Sequence, residues 1–199
     1  SDVGVVKDLA THDIDLTAWV AGSPYRSVSA QVAHRSGRVN EDMVVASGVL
    51  ANGIIVSHVV NWLTPFKERV TIVNGEKGAF VADTLTGDLT FHANGTVAST
   101  WDQVANFRGV SEGDVVRYAI AKREPLALEQ ERFRDAVLEM RSMRNAHSLN
   151  SLHSMSGDSG DSGSPGAGGD IVSMEDGVAT LMVVEAVLAS AAQQRMVDL

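Results

Sequence analysis

The chain has 199 residues, 44% of them apolar and 21% charged, a balance that excludes a wholly disordered protein and fits one ordinary globular domain. With 16 Lys+Arg against 25 Asp+Glu the net charge is −9, which repels a phosphate backbone and excludes nucleic acid as an expected partner. There is no cysteine for disulfides, thiolate nucleophiles or cysteine-ligated zinc, and no apolar run approaches the roughly 20 residues that span a bilayer, so no membrane contact and a cytoplasmic location are expected.

From Val6 to Val20, Leu9, Leu16 and Val20 recur at helical spacing, Ile14 and Ala18 widen the stripe, and Gly22, Ser23 and Pro24 end it. Ser27 to Ala33 then alternates Val28, Ala30 and Val32 with Ser29 and Gln31, the period of a half-buried strand. Met43 to Leu50 and Ile54 to Asn61 flank Ala51-Asn52-Gly53, where Asn-Gly marks a tight hairpin. Arg69 to Val73 and Ala79 to Ala82 flank a second turn at Asn74 to Gly78; Leu89 to His92 and Thr96 to Ser99 flank a third at Asn94-Gly95. Separations this short require antiparallel pairing, because parallel strands need long crossovers.

After Gly113 the pattern turns helical. Leu126, Gln130, Phe133, Val137 and Met140 form a stripe behind Pro125, with Phe133 and Met140 read as core. The last helix, Glu175 to Ala192, is expected to bury Val178, Leu181, Met182 and Leu188, and Ser173 with Asp176 resembles a capping box. The expected class is α+β: a predominantly antiparallel sheet with helices on one face, the other face available for oligomerisation. Residues 1–199 read as a single domain with a flexible Ser/Gly/Asp-rich insertion at about 145–169.

Few constellations carry chemistry. Asp8 and His12 are four apart on the first helix, and Asp15 and Trp19 continue their stripe; a carboxylate beside an imidazole is an acid/base unit or simply a solvated helix face. The Gly-Asp-Ser-Gly strings near Asp158 and Asp161 lack the rigid elbow that a nucleophilic serine needs and read as linker. His147 and His153 with those aspartates lack the support a metal requires, and Gly166 to Gly169 lacks a dinucleotide loop's strand and spacing; neither metal nor cofactor is expected on this chain. Trp62 can stack on a flat or sugar-like ligand while Lys67 and Arg69 engage phosphate or carboxylate, or the tryptophan is core and the cations solvated.

The run Val5-Val6-Lys7-Asp8-Leu9-Ala10-Thr11-His12-Asp13-Ile14-Asp15-Leu16 resembles the Asp-x-x-x-His segment that opens the C-terminal domain of the Gfo/Idh/MocA (glucose–fructose oxidoreductase/inositol dehydrogenase-like) oxidoreductases. The resemblance continues in order through Gly53 to Arg69, the turn at Gly75 to Gly78, Glu124-Pro125-Leu126 with Glu129 and Phe133, and Asp176-Gly177 with the apolar helix after it. It implies the substrate-binding and oligomerisation domain of a dehydrogenase acting on a secondary hydroxyl of a sugar, polyol or sugar nucleotide. His12 would then be the general acid/base and Asp8 its orienting partner, with Trp62, Lys67, Arg69 and Asp15 as substrate contacts. It further implies NAD or NADP in the full-length enzyme, held by an N-terminal Rossmann domain that this sequence lacks, and a homodimer or homotetramer formed through the sheet. The isolated chain is expected to bind no cofactor and to turn over no substrate. The alternative is a non-catalytic ligand-binding or assembly module without a cofactor domain of its own.

Overall fold

The structure is a computed structural model that describes residues 2–95, 111–153 and 171–199, with the backbone alone for 111–112 and 145–153. The class is α+β and every described strand pair is antiparallel, but the described strands form two sheets where one was expected. The chain divides into two compact units, Ser1–Pro65 with Asp158–Leu199, and Phe66–Gly157.

In the first unit a π-helical turn, Val6–Ala10, runs into helix α1, Thr11–Ala21. The helix ends at Gly22 in the left-handed conformation, as the sequence predicts. Strands β1 (Tyr25–Ala33), β2 (Met43–Leu50), β3 (Ile55–Asn61) and the short β8 (Val197–Asp198) follow in the order β3-β2-β1-β8. The register aligns Val28 with Gly48, Ala30 with Ala46 and Val32 with Val44, so the alternation seen in the sequence becomes one apolar face. On that face Val44, Ala46, Leu50, Val28 and Ala30 are buried against Val6, Ala10 and Ile14, and against Val183, Val184 and Val187 of the last helix. The first helix therefore rests on Val6, Ala10 and Ile14; Val20 of the expected stripe is exposed.

The last helix, Met174–Gln193, begins with the capping box that Ser173 and Asp176 predict: the Asp176 N–H donates to Ser173 Oγ at 3.1 Å and the Ser173 N–H to Asp176 Oδ2 at 2.9 Å. Its buried side is not the expected one. Thr180, Val183, Val184, Ala186, Val187 and Ser190 face the sheet, whereas Val178, Leu181 and Met182 are exposed and Leu188 is half-buried. Small and β-branched side chains let this helix lie close on β1, close enough for the Ala30 N–H to donate to Ser190 Oγ at 3.0 Å. A helix apolar on both sides gives periodicity alone no means of choosing.

In the second unit, β4 (Val70–Gly75), β5 (Gly78–Asp83), β6 (Asp88–Gly95) and β7 (Ser111–Tyr118) form a meander in sequence order. Asn94 and Gly95 are not a hairpin turn: they stay in β6, paired with Glu112 and Ser111 of β7, and the Asn94 amide donates to the Glu76 carbonyl at 2.9 Å. The Thr96 to Ser99 strand lies outside the described residues. Ser111–Tyr118, read as the approach to a helix, is a strand whose Val115, Val116 and Tyr118 suit pairing. Arg117 and Lys122 both hydrogen-bond Asp88 at 2.9 Å and hold its carboxyl well below the usual carboxylate range.

The penultimate helix, Pro125–His153, starts at the expected proline and continues through residues 145–153 of the expected insertion. The rest of that insertion, with Asp158, Asp161 and Gly166 to Gly169, lies outside the described residues. Phe133 and Met140 are not core: they are 65% and 63% exposed, because no described element covers the stripe they belong to. Among the described residues the α-helices, in chain order, are α1, α2 (Pro125–His153) and α3 (Met174–Gln193).

Candidate functional site

Helix α1 presents the Asp-x-x-x-His segment outward. Ala10 and Ile14 point into the core, and Asp8, His12, Asp15 and Trp19 sit on the opposite side of the same helical surface. The π turn places Asp8 in a widened coil, with the Thr11 hydroxyl donating to the Lys7 carbonyl at 2.9 Å where the coil narrows. Asp8 and His12 are both exposed, and no hydrogen bond or ion pair joins them. Asp15 is half-buried and accepts the Thr180 hydroxyl at 3.2 Å, which ties α1 to α3.

Lys7 pairs with Glu185 at 2.6 Å, so the two helices lie side by side. The outward side of α3 carries Val178, Leu181 and Met182, and that of α1 carries Trp19, 73% exposed.

Trp62 follows β3, half-buried and packed against the core, and its ring lies under the Arg38 guanidinium at 4.9 Å. Lys67 and Arg69 are exposed and belong to the second unit. The structure thus brings Asp8, His12, Asp15 and Trp62 into one unit, and gives Trp62 a cation, Arg38, that the sequence reading missed. Nothing in the spacing of Gly37-Arg38-Val39-Asn40 signals it, because loop residues reach their partners without periodicity. Among the described residues no group of His, Asp and Glu stands together that could hold a metal. No described strand pair is parallel, so the strand–loop–helix unit that holds a dinucleotide does not form among these residues, and they do not fit that cofactor.

A second polar cluster lies beneath α1. Tyr25 Oη and His58 Nε2 are 2.8 Å apart on the sheet face that meets the helices, and Gly48 makes room, since a Cβ there would meet the Tyr25 ring at 3.2 Å. Burial pushes the Tyr25 phenol up to about 12; the Thr17 hydroxyl pulls it down and the charge of Asp13 adds to the rise. Burial likewise lowers the His58 imidazole, against the upward pull of Asp13. The sequence signal was available, since His58 shares the inward period of Val56 and Val60.

Because the folded phenol ionises at about 12 against 10.0 for the free group, the native state holds its proton through that interval. The stabilisation is complete below pH 10 and lost as pH rises toward 12, in all about 2–3 kcal/mol. Urea unfolding at the two ends of that range should show the loss, and Tyr25→Phe should flatten the dependence. An unchanged slope in Tyr25→Phe would contradict it. His58 acts in the opposite sense: its stabilisation is present above its unfolded value and lost as pH falls.

Residues 2–81 match the family described as GFO/IDH/MocA C-terminal domain, a stretch that contains Asp8, His12 and Trp62. Among solved structures, UDP-N-acetylglucosamine 3-dehydrogenase GnnA from Acidithiobacillus ferrooxidans is similar at 22% identity and a TM-score of 0.59, over 94% of this chain and 46% of that one. The WlbA dehydrogenase from Bordetella pertussis, solved with NADH and UDP-GlcNAcA, is similar at 21% identity and a TM-score of 0.53, over 98% and 45%. A super-repressor mutant of Gal80p from Saccharomyces cerevisiae is similar at 15% identity and a TM-score of 0.64, over 94% and 47%. The chain spans about half the length of these structures. No curated protein sequence matches.

Proposed function

We propose that the chain is the substrate-binding half of a NAD(P)-dependent dehydrogenase that acts on a secondary hydroxyl of a sugar, polyol or sugar nucleotide. One observation carries this reading: His12 stands exposed beside Asp8 on the outward side of α1, inside the stretch that matches the family. An exposed imidazole is free to take the proton of a substrate hydroxyl, the role general acid/base catalysis requires. Asp8 would orient the ring once substrate is bound, since the two are not hydrogen-bonded without it. Trp62, Lys67, Arg69 and Asp15 would contact substrate, and the Thr180 hydroxyl already holds Asp15 in place.

The hydride acceptor would come from a preceding nucleotide-binding half, because the described residues do not fit a dinucleotide. The exposed apolar side chains of Trp19 on α1 and of Val178, Leu181 and Met182 on α3 support docking of that half on these two helices. The exposed outward side of the first sheet, with Ile55 and Val59, would carry self-association into a dimer or tetramer.

The experiment compares the chain alone with the chain joined to the nucleotide-binding half, offered NAD or NADP and a panel of UDP-sugars. Only the joined protein should transfer hydride, and it should sediment as an oligomer. Leu181→Glu with Met182→Glu should lower turnover at least tenfold without lowering the melting temperature, because both side chains are exposed. Full activity in that double variant would exclude the docking surface. A second reading, a binding or assembly module without redox chemistry, is favoured by the missing Asp8–His12 hydrogen bond. It requires a joined protein that binds a sugar ligand equally well after Asp8→Ala and His12→Ala and transfers no hydride.

A further inference from the structure

We propose that the loop between β1 and β2, together with Trp62, forms an oxyanion site that takes the phosphate or carboxylate of a small ligand on Arg38. Val3, Gly37, Arg38, Val39, Asn40 and Trp62 line a cavity of about 280 Å³. The Arg38 guanidinium lies over the Trp62 ring, 4.9 Å from its centroid, and carries its N–H donors along its edges. Among the described residues those edges meet no carboxylate, and the Asn40 side chain and the Trp62 indole N–H have no hydrogen-bond partner.

Each of the two carboxylates next along the chain holds backbone N–H groups through one of its oxygens. Glu41 Oε1 accepts the Val6 N–H at 3.1 Å, and Asp42 Oδ2 accepts the Arg35 and Ser36 N–H groups at 2.7 and 2.5 Å. The Arg38 guanidinium, the Asn40 amide NH2 and the Trp62 indole N–H can each donate to an oxyanion, and a guanidinium presents two parallel donors to one. The volume admits the anionic end of a ligand and falls short of an ordinary drug-sized pocket, about 300–1,000 Å³. The site rests on Arg38 and Trp62, not on the role proposed for His12.

The test titrates the folded chain with inorganic pyrophosphate and, separately, with glucuronate, following the Trp62 indole and Arg38 side-chain N–H signals by NMR. A saturable shift of those two signals is expected for at least one probe, and the responsive probe assigns phosphate or carboxylate. Arg38→Gln should abolish it, and Arg38→Lys should raise the Kd at least tenfold, since an ammonium keeps the charge and loses the fork. Arg38 is exposed, so both variants should melt with the parent chain. No saturable shift with either probe, or a shift that survives Arg38→Gln, would overturn the site. So would shifts spread evenly over exposed cations such as Lys67 and Arg69.

Discussion

His12→Ala, in the protein joined to its nucleotide-binding half, is expected to lower kcat by about 10²- to 10⁴-fold, the range that a positioned general acid/base supplies. The side chain is exposed, so its loss should leave the melting temperature where it was. That separation makes the variant informative: a fall in kcat at constant stability belongs to chemistry and not to folding. Asp8→Asn should cost less, because the aspartate acts on substrate only through the ring it orients. Undiminished turnover in His12→Ala would remove the imidazole from the reaction.

Leu50→Ala should destabilise the first unit by about 2–5 kcal/mol, the cost of deleting a fully buried leucine and leaving a cavity. Leu50 is 0% exposed at the end of β2, and the site cannot easily collapse around the gap. Its N–H donates to the Ile54 carbonyl at 2.9 Å, and its carbonyl accepts the Gly53 N–H at 2.9 Å, so the hairpin fixes the backbone on either side. Met182→Ala, on the exposed side of α3, should change stability by less than about 0.5 kcal/mol. Urea unfolding of the two variants checks both numbers, and equal losses would mean that the burial of α3 is misassigned.

The comparison of Leu50 with Met182 also shows where sequence reasoning reaches and where it stops. Strand alternation made β1, β2 and β3 legible, because a period of two survives in any sheet that buries one face. Capping at Ser173, the stop at Gly22 and the proline entry at Pro125 were legible because each is local backbone chemistry. The face of α3 was not, since Val178-Leu181-Met182 and Val183-Val184-Val187 are equally apolar and only the neighbouring sheet decides between them. Phe133 and Met140 failed for the same reason: an apolar stripe states a need for cover without saying that cover is present.

The site divides in the same way. Asp8 and His12 share an exposed side because helical spacing says so, and the π turn at Val6–Ala10 does not undo it. Arg38 over Trp62 and Tyr25 against His58 join residues far apart in the chain, and a period within one element cannot reveal them.

The most direct measurement is rescue of His12→Ala by added imidazole in the joined protein, read as NAD(P)-linked oxidation of a sugar nucleotide. Free imidazole should restore turnover in a saturable way, with no effect on the parent enzyme, because it returns a proton acceptor to the place the side chain left. A variant whose turnover is low and stays low at saturating imidazole, with the loss lying in KM and not in kcat, would contradict a general acid/base at position 12.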